Sequence, residues 1–246
     1  MNFFITGGSR GIGEAIVLQA AREGHGVAFT YLEQEKRALQ VEQRAKAETP
    51  RARVKAYRMD VRESASVDKV GEQVLEDFGS IEVAVCNAGI NRLNLLAQMS
   101  DEEWDEVIRT NLTGSFYIAR HFLPSMMAQR FGRFIFISSI GYTGVTGQAG
   151  YCASKAGLHG LAAAIAKEYG RRGITANVVV PGFFDTDMSR EDMSPSNREF
   201  WKQYCPLGRM GELGEISKVV TFLTTDGAGF INGQAIPVNG GLDWAP

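Results

Sequence analysis

Seven short runs of apolar residues, many of them β-branched or aromatic, recur along the chain, and segments of helical character separate every successive pair. The runs are Asn2–Thr6, Gly26–Tyr31, Val54–Arg58, Ile81–Asn87, Arg133–Ser138, Thr175–Val180 and Gln234–Val238. Their centres, such as Val83-Ala84-Val85 and Val178-Val179-Val180, lack apolar–polar alternation, which is the pattern of strands covered on both faces. Strand followed by helix, repeated to the end of the chain, predicts a doubly wound α/β fold. Its parallel sheet has about seven strands, carries helices on both faces, and binds ligands at the carboxyl ends of the strands. No repeat, low-complexity tract or interdomain linker interrupts the 246 residues, so residues 1–246 read as a single domain. The segment from Phe183 to Cys205 departs from this rhythm. Rich in Asp, Ser, Met and Arg and carrying Pro195, it reads as a lid of short helices over a site, or as a plain surface excursion.

The first strand–helix junction carries a nucleotide-binding signal. Met1 to Ile5 has strand character, Thr6-Gly7-Gly8-Ser9-Arg10-Gly11-Ile12-Gly13 follows, and Glu14 to Ala21 is helical. Glycines there let backbone approach a pyrophosphate without an obstructing Cβ, and the helix N-terminus offers unpaired N–H groups and the positive end of its dipole. A glycine turn that merely redirects the chain is the plainer reading, but the strand and helix on either side make the Rossmann-type arrangement the better one.

Tyr151 and Lys155 lie four residues apart, on one face of a predicted helix. A free tyrosine titrates near ~10, and a cation beside it favours the phenolate, which brings the group toward useful acid–base behaviour at neutral pH. A hydroxyl from Ser138-Ser139, which end an apolar run, is suited to hold a carbonyl oxygen against the Tyr151 hydroxyl while hydride arrives at carbon. Taken alone, tyrosine and lysine at this spacing are equally an ordinary helix face.

Together these motifs resemble the classical short-chain dehydrogenase/reductase family, in the family's order and over essentially the whole chain. Thr6 to Gly13, spaced TGxxxGxG, matches its cofactor glycine motif, with Gly7, Ser9, Arg10, Gly11, Ile12 and Gly13 as cofactor-binding positions. Asp60-Val61 matches the pair at the adenine, Asn87-Ala88-Gly89 the turn after the fourth strand, and Pro181-Gly182 with Thr186 the border of the nicotinamide. Asn111, the serine pair, Tyr151 and Lys155 match the catalytic tetrad. The resemblance implies that Tyr151 donates the proton, Lys155 lowers its pKa and contacts the nicotinamide ribose, and Asn111 helps hold a water relay. Two departures stand out. Cys86 replaces the first of two asparagines usual before Ala-Gly, and the catalytic serine has two candidates. Ser138 lies thirteen residues before Tyr151, the family's common spacing, whereas the register of the strand favours Ser139. A deletion in the loop Gly141 to Gly150 reconciles the counts in favour of Ser139, since loops absorb deletions and a strand slip reverses every side chain.

Cofactor choice follows from charge. At the end of the second strand, where an NAD enzyme places a carboxylate for the ribose 2′-hydroxyl, this chain has Tyr31; Arg10 in the glycine loop is placed to pair with a 2′-phosphate, although Glu33 is close in sequence. NADP(H) is the expected cofactor. The stretch Pro181 to Arg190, Asp101-Glu102-Glu103-Trp104 and the ending Val238-Asn239-Gly240-Gly241 look much like those of bacterial 3-oxoacyl-acyl-carrier-protein reductases. That resemblance implies a 3-oxoacyl substrate on acyl carrier protein, with Arg130 and Arg172 at the positions that dock the carrier beside the site entrance. Acetoacetyl-CoA and free ketone, sugar or quinone reductases remain alternatives within the family, and a nucleotide-sensing regulator without turnover is one outside it.

Composition bears on what the chain does not do. A formal net charge of −2 gives no bulk basicity for nucleic acid or an anionic membrane, and no stretch approaches the ~18 apolar residues of a membrane span. The three cysteines and three histidines show no metal-ligand spacing, so no metal is expected, and reduced thiols point to the cytoplasm. The small residues Ala153, Ala156, Gly157, Gly160 and Ala164 form a face on which helices approach closely; in the resembled family such helices pair about a two-fold axis, which predicts a homotetramer.

Overall fold

The strands form one sheet, and its order explains where a ligand fits. The computed structural model describes residues 1–187, 189 and 194–242. Strands β1 (Asn2–Ile5), β2 (Gly26–Tyr31), β3 (Val54–Arg58), β4 (Val83–Cys86), β5 (Gly132–Ile137), β6 (Ile174–Pro181) and β7 (Ala235–Val238) are all parallel, in the order β3-β2-β1-β4-β5-β6-β7. The chain winds outward from β1 to β3, returns to β4 on the other side of β1, and winds the opposite way. The connections after β1 and β4 therefore diverge and leave a crevice at the carboxyl edge.

Helices α1 (Gly11–Arg22), α2 (Glu35–Glu48) and α8 (Leu213–Phe222) cover one face; α3 (Ser64–Phe78), α5 (Gly114–Gln129) and α6 (Ala149–Tyr169) cover the other. Successive strand residues serve opposite layers. Phe3, Ile5, Ile135 and Ile137 pack with Ile16, Val41 and Val220, while Phe4, Phe134 and Phe136 pack with Val74, Phe122 and Leu158. Each such side chain, fully buried, stabilises the fold by about 1.5–3 kcal/mol, which is why the strands read as continuous apolar runs. Helix α4 (Asp101–Ile108) opens with a capping box between Ser100 and Glu103 and continues into α5 through a wider π-type turn, Arg109–Thr113.

Predicted strand limits hold to within a residue or two. β2 and β3 match residue for residue, whereas Thr6 leaves the first strand because its Oγ1 accepts from the N–H groups of Asn87 and Ala88, both at 3.0 Å, tying the end of β1 to the turn after β4. Within the lid-like segment the chain forms α7 (Pro195–Tyr204), and Phe184 bridges to Gly211. Met188 and Arg190, part of the family-like stretch, lie outside the described residues. Among the described residues no helix is long and apolar enough to cross a membrane.

Candidate active site

The turn after β1 is shaped by contact rather than by sequence preference alone. Gly7 adopts a left-handed backbone (φ +65°), and a Cβ on Gly13 would collide with the Gly7 carbonyl, so the first turn of α1 packs directly on the loop. Asn87 locks this arrangement, its Nδ2 donating to the carbonyls of Thr6 (3.0 Å) and Gly7 (3.1 Å). The N-cap residue of α1, Arg10, makes no side-chain capping bond to that helix. The leading N–H groups of α1 are thus available to an anion.

This turn borders a cleft of about 840 Å³ along the carboxyl ends of the strands. Gly7, Ser9, Arg10, Gly11, Ile12 and Gly13 line it beside β1. Tyr31, Asp60 and Val61 line it beside β2 and β3, and Asn87, Ala88 and Gly89 beside β4. Ser139, Tyr151, Lys155, Pro181, Gly182 and Thr186 complete the wall beside β5 and β6. The Asp60 carboxylate is held by Arg62 at 2.7 and 3.0 Å, and that hydrogen-bonded pair holds its pKa below the usual range. Tyr31 donates to Glu35 at 3.3 Å.

Lys155 is 4 % exposed. Its Nζ donates to the Ile137 carbonyl at 2.8 Å and lies 5.6 Å from the centre of the Tyr151 ring. Burial pushes its pKa down to about 8, with the neighbouring Cys86 acting weakly the other way; Cys86 itself is pushed up to about 12 by burial. Asn111 lies behind this pair, buried in the π-type turn. Its Nδ2 donates to the Ile90 carbonyl (3.0 Å) and to Ser154 Oγ (2.9 Å), and its Oδ1 accepts from the Ile90 N–H (2.9 Å). A methyl group placed on Gly89 would sit 3.3 Å from both Asn111 Oδ1 and Lys155 Nζ, so the two side chains meet at one point of the cleft floor.

The two serines face opposite ways, as adjacent residues of an extended chain must. Ser138 Oγ turns inward, donating to the Lys155 carbonyl at 3.0 Å and lying 3.2 Å from His159 Nε2. Ser139 Oγ accepts from the Gly141 N–H at 3.1 Å. A methyl on Gly141 would lie 3.4 Å from that oxygen and 3.6 Å from Tyr151 Cε1, which puts Ser139 and the Tyr151 ring side by side.

Arg130 and Arg172 are not brought to this cleft. Arg130 ends α5 in a left-handed conformation just before β5, and Arg172 lies in the turn just before β6. Both therefore stand at the amino ends of strands whose carboxyl ends form the site, and the length of β5, ~17–20 Å, separates them from it. The expectation that they flank the site entrance is corrected for a single chain: a residue that leads into a strand cannot also lie at its far end.

Other groups escaped the sequence reading. Arg37 of α2 pairs with Asp187, whose carboxylate also lies 3.9 Å from Arg10. His159 sits one turn beyond Lys155, a spacing that was visible but carried no chemical signal. Phe183, Phe200 and Trp201 line the cleft from the segment read as a lid, where the sequence singled out none of the three.

Comparison with known proteins agrees with this geometry. A family profile described as enoyl-(acyl carrier protein) reductase matches residues 7–243. The chain is 42 % identical to a 3-oxoacyl-[acyl-carrier-protein] reductase of Haemophilus influenzae, covering 97 % of this chain and 96 % of that protein. It is 40 % identical to the protein of the same name from Escherichia coli, covering 98 % and 99 %. The crystal structure of levodione reductase superposes with a TM-score of 0.95 at 32 % identity, over 98 % of this chain and 97 % of the other.

Proposed function

From the premise that this chain belongs to the short-chain dehydrogenase/reductase family, we propose that it is an NADPH-dependent reductase of 3-oxoacyl thioesters carried by acyl carrier protein. The observation that carries the reading is the meeting of Ser139, Tyr151 and Lys155 at the carboxyl edge of β5, beside the cleft that the glycine turn borders.

The cleft fits a dinucleotide. The crowded contact of Gly13 with Gly7 leaves room for no side chain, and the start of α1, which the Arg10 side chain does not cap, suits a pyrophosphate. When bound, the cofactor supplies the hydride. Ser139 orients the carbonyl oxygen, Tyr151 gives that oxygen its proton, and the buried ammonium of Lys155 stabilises the charge left on the phenol. Asn111 holds the main chain at Ile90 and the Ser154 hydroxyl behind Lys155, and so fixes the floor against which the lysine rests. Tyr31 rather than a carboxylate stands at the end of β2 and Arg10 lines the same side of the cleft, as does Glu33, two residues beyond Tyr31; the Arg10 cation is what favours NADPH.

The assembly follows from one helix face. Ala156, Gly160 and Ala164 are exposed at four-residue intervals on α6, and Phe116 on α5 is exposed as well. Small residues beside an aromatic one suit self-pairing of these helices in a tetramer. In an antiparallel pair the far end of α5, with Arg130, approaches the partner's site rather than its own. Arg130 and Arg172 then serve to dock the acidic carrier across subunits.

NADPH oxidation assayed on 3-oxoacyl-carrier-protein, 3-oxoacyl-CoA and simple ketones tests the reading, with Tyr151→Phe as the inactive control. The carrier-linked substrate is expected to be turned over with the highest kcat/KM. A preference for free cyclic ketones would move the protein toward the second reading, that of a free-ketone reductase, which the close superposition on levodione reductase favours.

A further inference from the structure

The cleft extends past Tyr151 into a wall built of aromatic rings. Phe183 follows Pro181-Gly182 at the end of β6, and its ring stacks on Trp201 of α7, centroids 4.4 Å apart at 26°. Phe200 meets Trp201 edge to face at 5.4 Å and lies 4.3 Å from Tyr204 at 34°. These four rings form one continuous ladder along a single three-turn helix and the strand end beside it. Phe183, Phe200 and Trp201 line the same cleft as Tyr151; Phe200 remains 39 % exposed, and Tyr204, packed against it outside the lining, 51 %. Aliphatic Val145 and Leu93 also line the cleft, among polar neighbours such as Arg92 and Gln148, with Val145 Cγ2 flanking the same point as the Tyr151 ring.

Rings left this exposed expose apolar surface to water, a cost that a bound apolar group relieves. An aliphatic wall would accept any apolar chain. A ladder of rings adds a preference for flat, π-bonded groups, since aromatic pairs gain beyond their buried area when faces or edges meet. We propose that α7 and Phe183 select substrates whose acyl group carries a planar unsaturated or aryl portion beyond the reacting 3-oxo carbon. This rests on the reading of the cleft as a 3-oxoacyl thioester reductase and specifies which thioesters it takes.

The test compares 3-oxo-5-phenylpentanoyl and 3-oxo-5-cyclohexylpentanoyl thioesters of N-acetylcysteamine. The two match in carbon count and differ in planarity, and the cyclohexyl group is the more hydrophobic. A merely greasy wall therefore favours cyclohexyl. The aromatic ladder is expected to favour phenyl by about three- to tenfold in kcat/KM, and Trp201→Leu to bring the ratio to one or below. Because each ratio is taken within one protein preparation, loss of folded protein does not alter it. A wild-type ratio at or below one, or a ratio that survives Trp201→Leu and Phe200→Leu, overturns the proposal. Calorimetric affinities for the two 3-hydroxy products separate it from the reading on which it rests. No turnover of either thioester, with phenyl still bound more tightly in the wild type alone, would sink the reductase reading and keep the aromatic wall.

Discussion

At the scale of single residues, the cleft is governed by two cations in opposite settings. Lys155 is buried, and its folded pKa of about 8 lies below its ordinary value of 10.5 because the charged form has lost water. Between those two values the unfolded chain binds a proton that the native protein does not, so native stability rises with pH there; below about 8 both states are charged and the burial penalty is felt in full. Relative to Lys155→Met, the wild type is expected to gain on the order of 3 kcal/mol from pH 7.5 to 10.5. Urea unfolding of both proteins at the two pH values measures this, and a constant difference would contradict it. Arg10, by contrast, is half-exposed at the rim of the cleft, 3.9 Å from Asp187. If it pairs with a 2′-phosphate, Arg10→Ala should weaken NADPH binding by about 1.5–3 kcal/mol and leave NADH nearly unchanged. Fluorescence titration with both cofactors distinguishes this from a general loss of binding.

At the scale of elements, the end of β5 shows how strand alternation divides labour between neighbours. Ser138 is spent on the fold, joining β5 to the Lys155 carbonyl and His159, whereas Ser139 faces Tyr151. Ser138→Ala should therefore lower unfolding free energy by about 1–2 kcal/mol with kcat kept within a few-fold. Ser139→Ala should leave unfolding nearly unchanged and lower kcat by about 100-fold. Paired denaturation and steady-state kinetics decide, and the opposite pattern would reassign the catalytic hydroxyl. Asn111 shows the same economy in a helix: the π-type turn widens the backbone where its side chain reaches Ile90 on one side and Ser154 on the other.

At the scale of the whole molecule, Arg130 and Arg172 stand at the amino edge of the sheet, so the proposed docking of a carrier on them requires a second subunit. Light scattering at micromolar concentration should give a tetramer. Replacing both arginines with glutamate should raise KM for a 3-oxoacyl-carrier-protein several-fold, less so as salt is added, and spare activity on a small ketoester. If the double variant loses both activities together, the defect lies in folding or assembly; if it loses neither, the carrier docks elsewhere.

The positions of the strands, their two-sided burial and many of the residues that line the cleft were legible in the sequence, because they depend on local patterns: apolar runs of strand length, a glycine turn between strand and helix, and Tyr151 and Lys155 at one helical turn's spacing. The opposite facing of Ser138 and Ser139 was legible as well, since a one-residue step in a strand reverses the face. What only the tertiary structure decided were relations between distant segments. Asn111 and Ser154, 43 residues apart, share a hydrogen bond. Arg37 and Asp187, 150 apart, form an ion pair. Trp201 reaches Phe183 because α7 folds back over the end of β6. Within one chain Arg130 lies away from the site for the same reason: resemblance fixes a residue's place along the chain, but which edge of the sheet it occupies depends on the direction in which its strand runs.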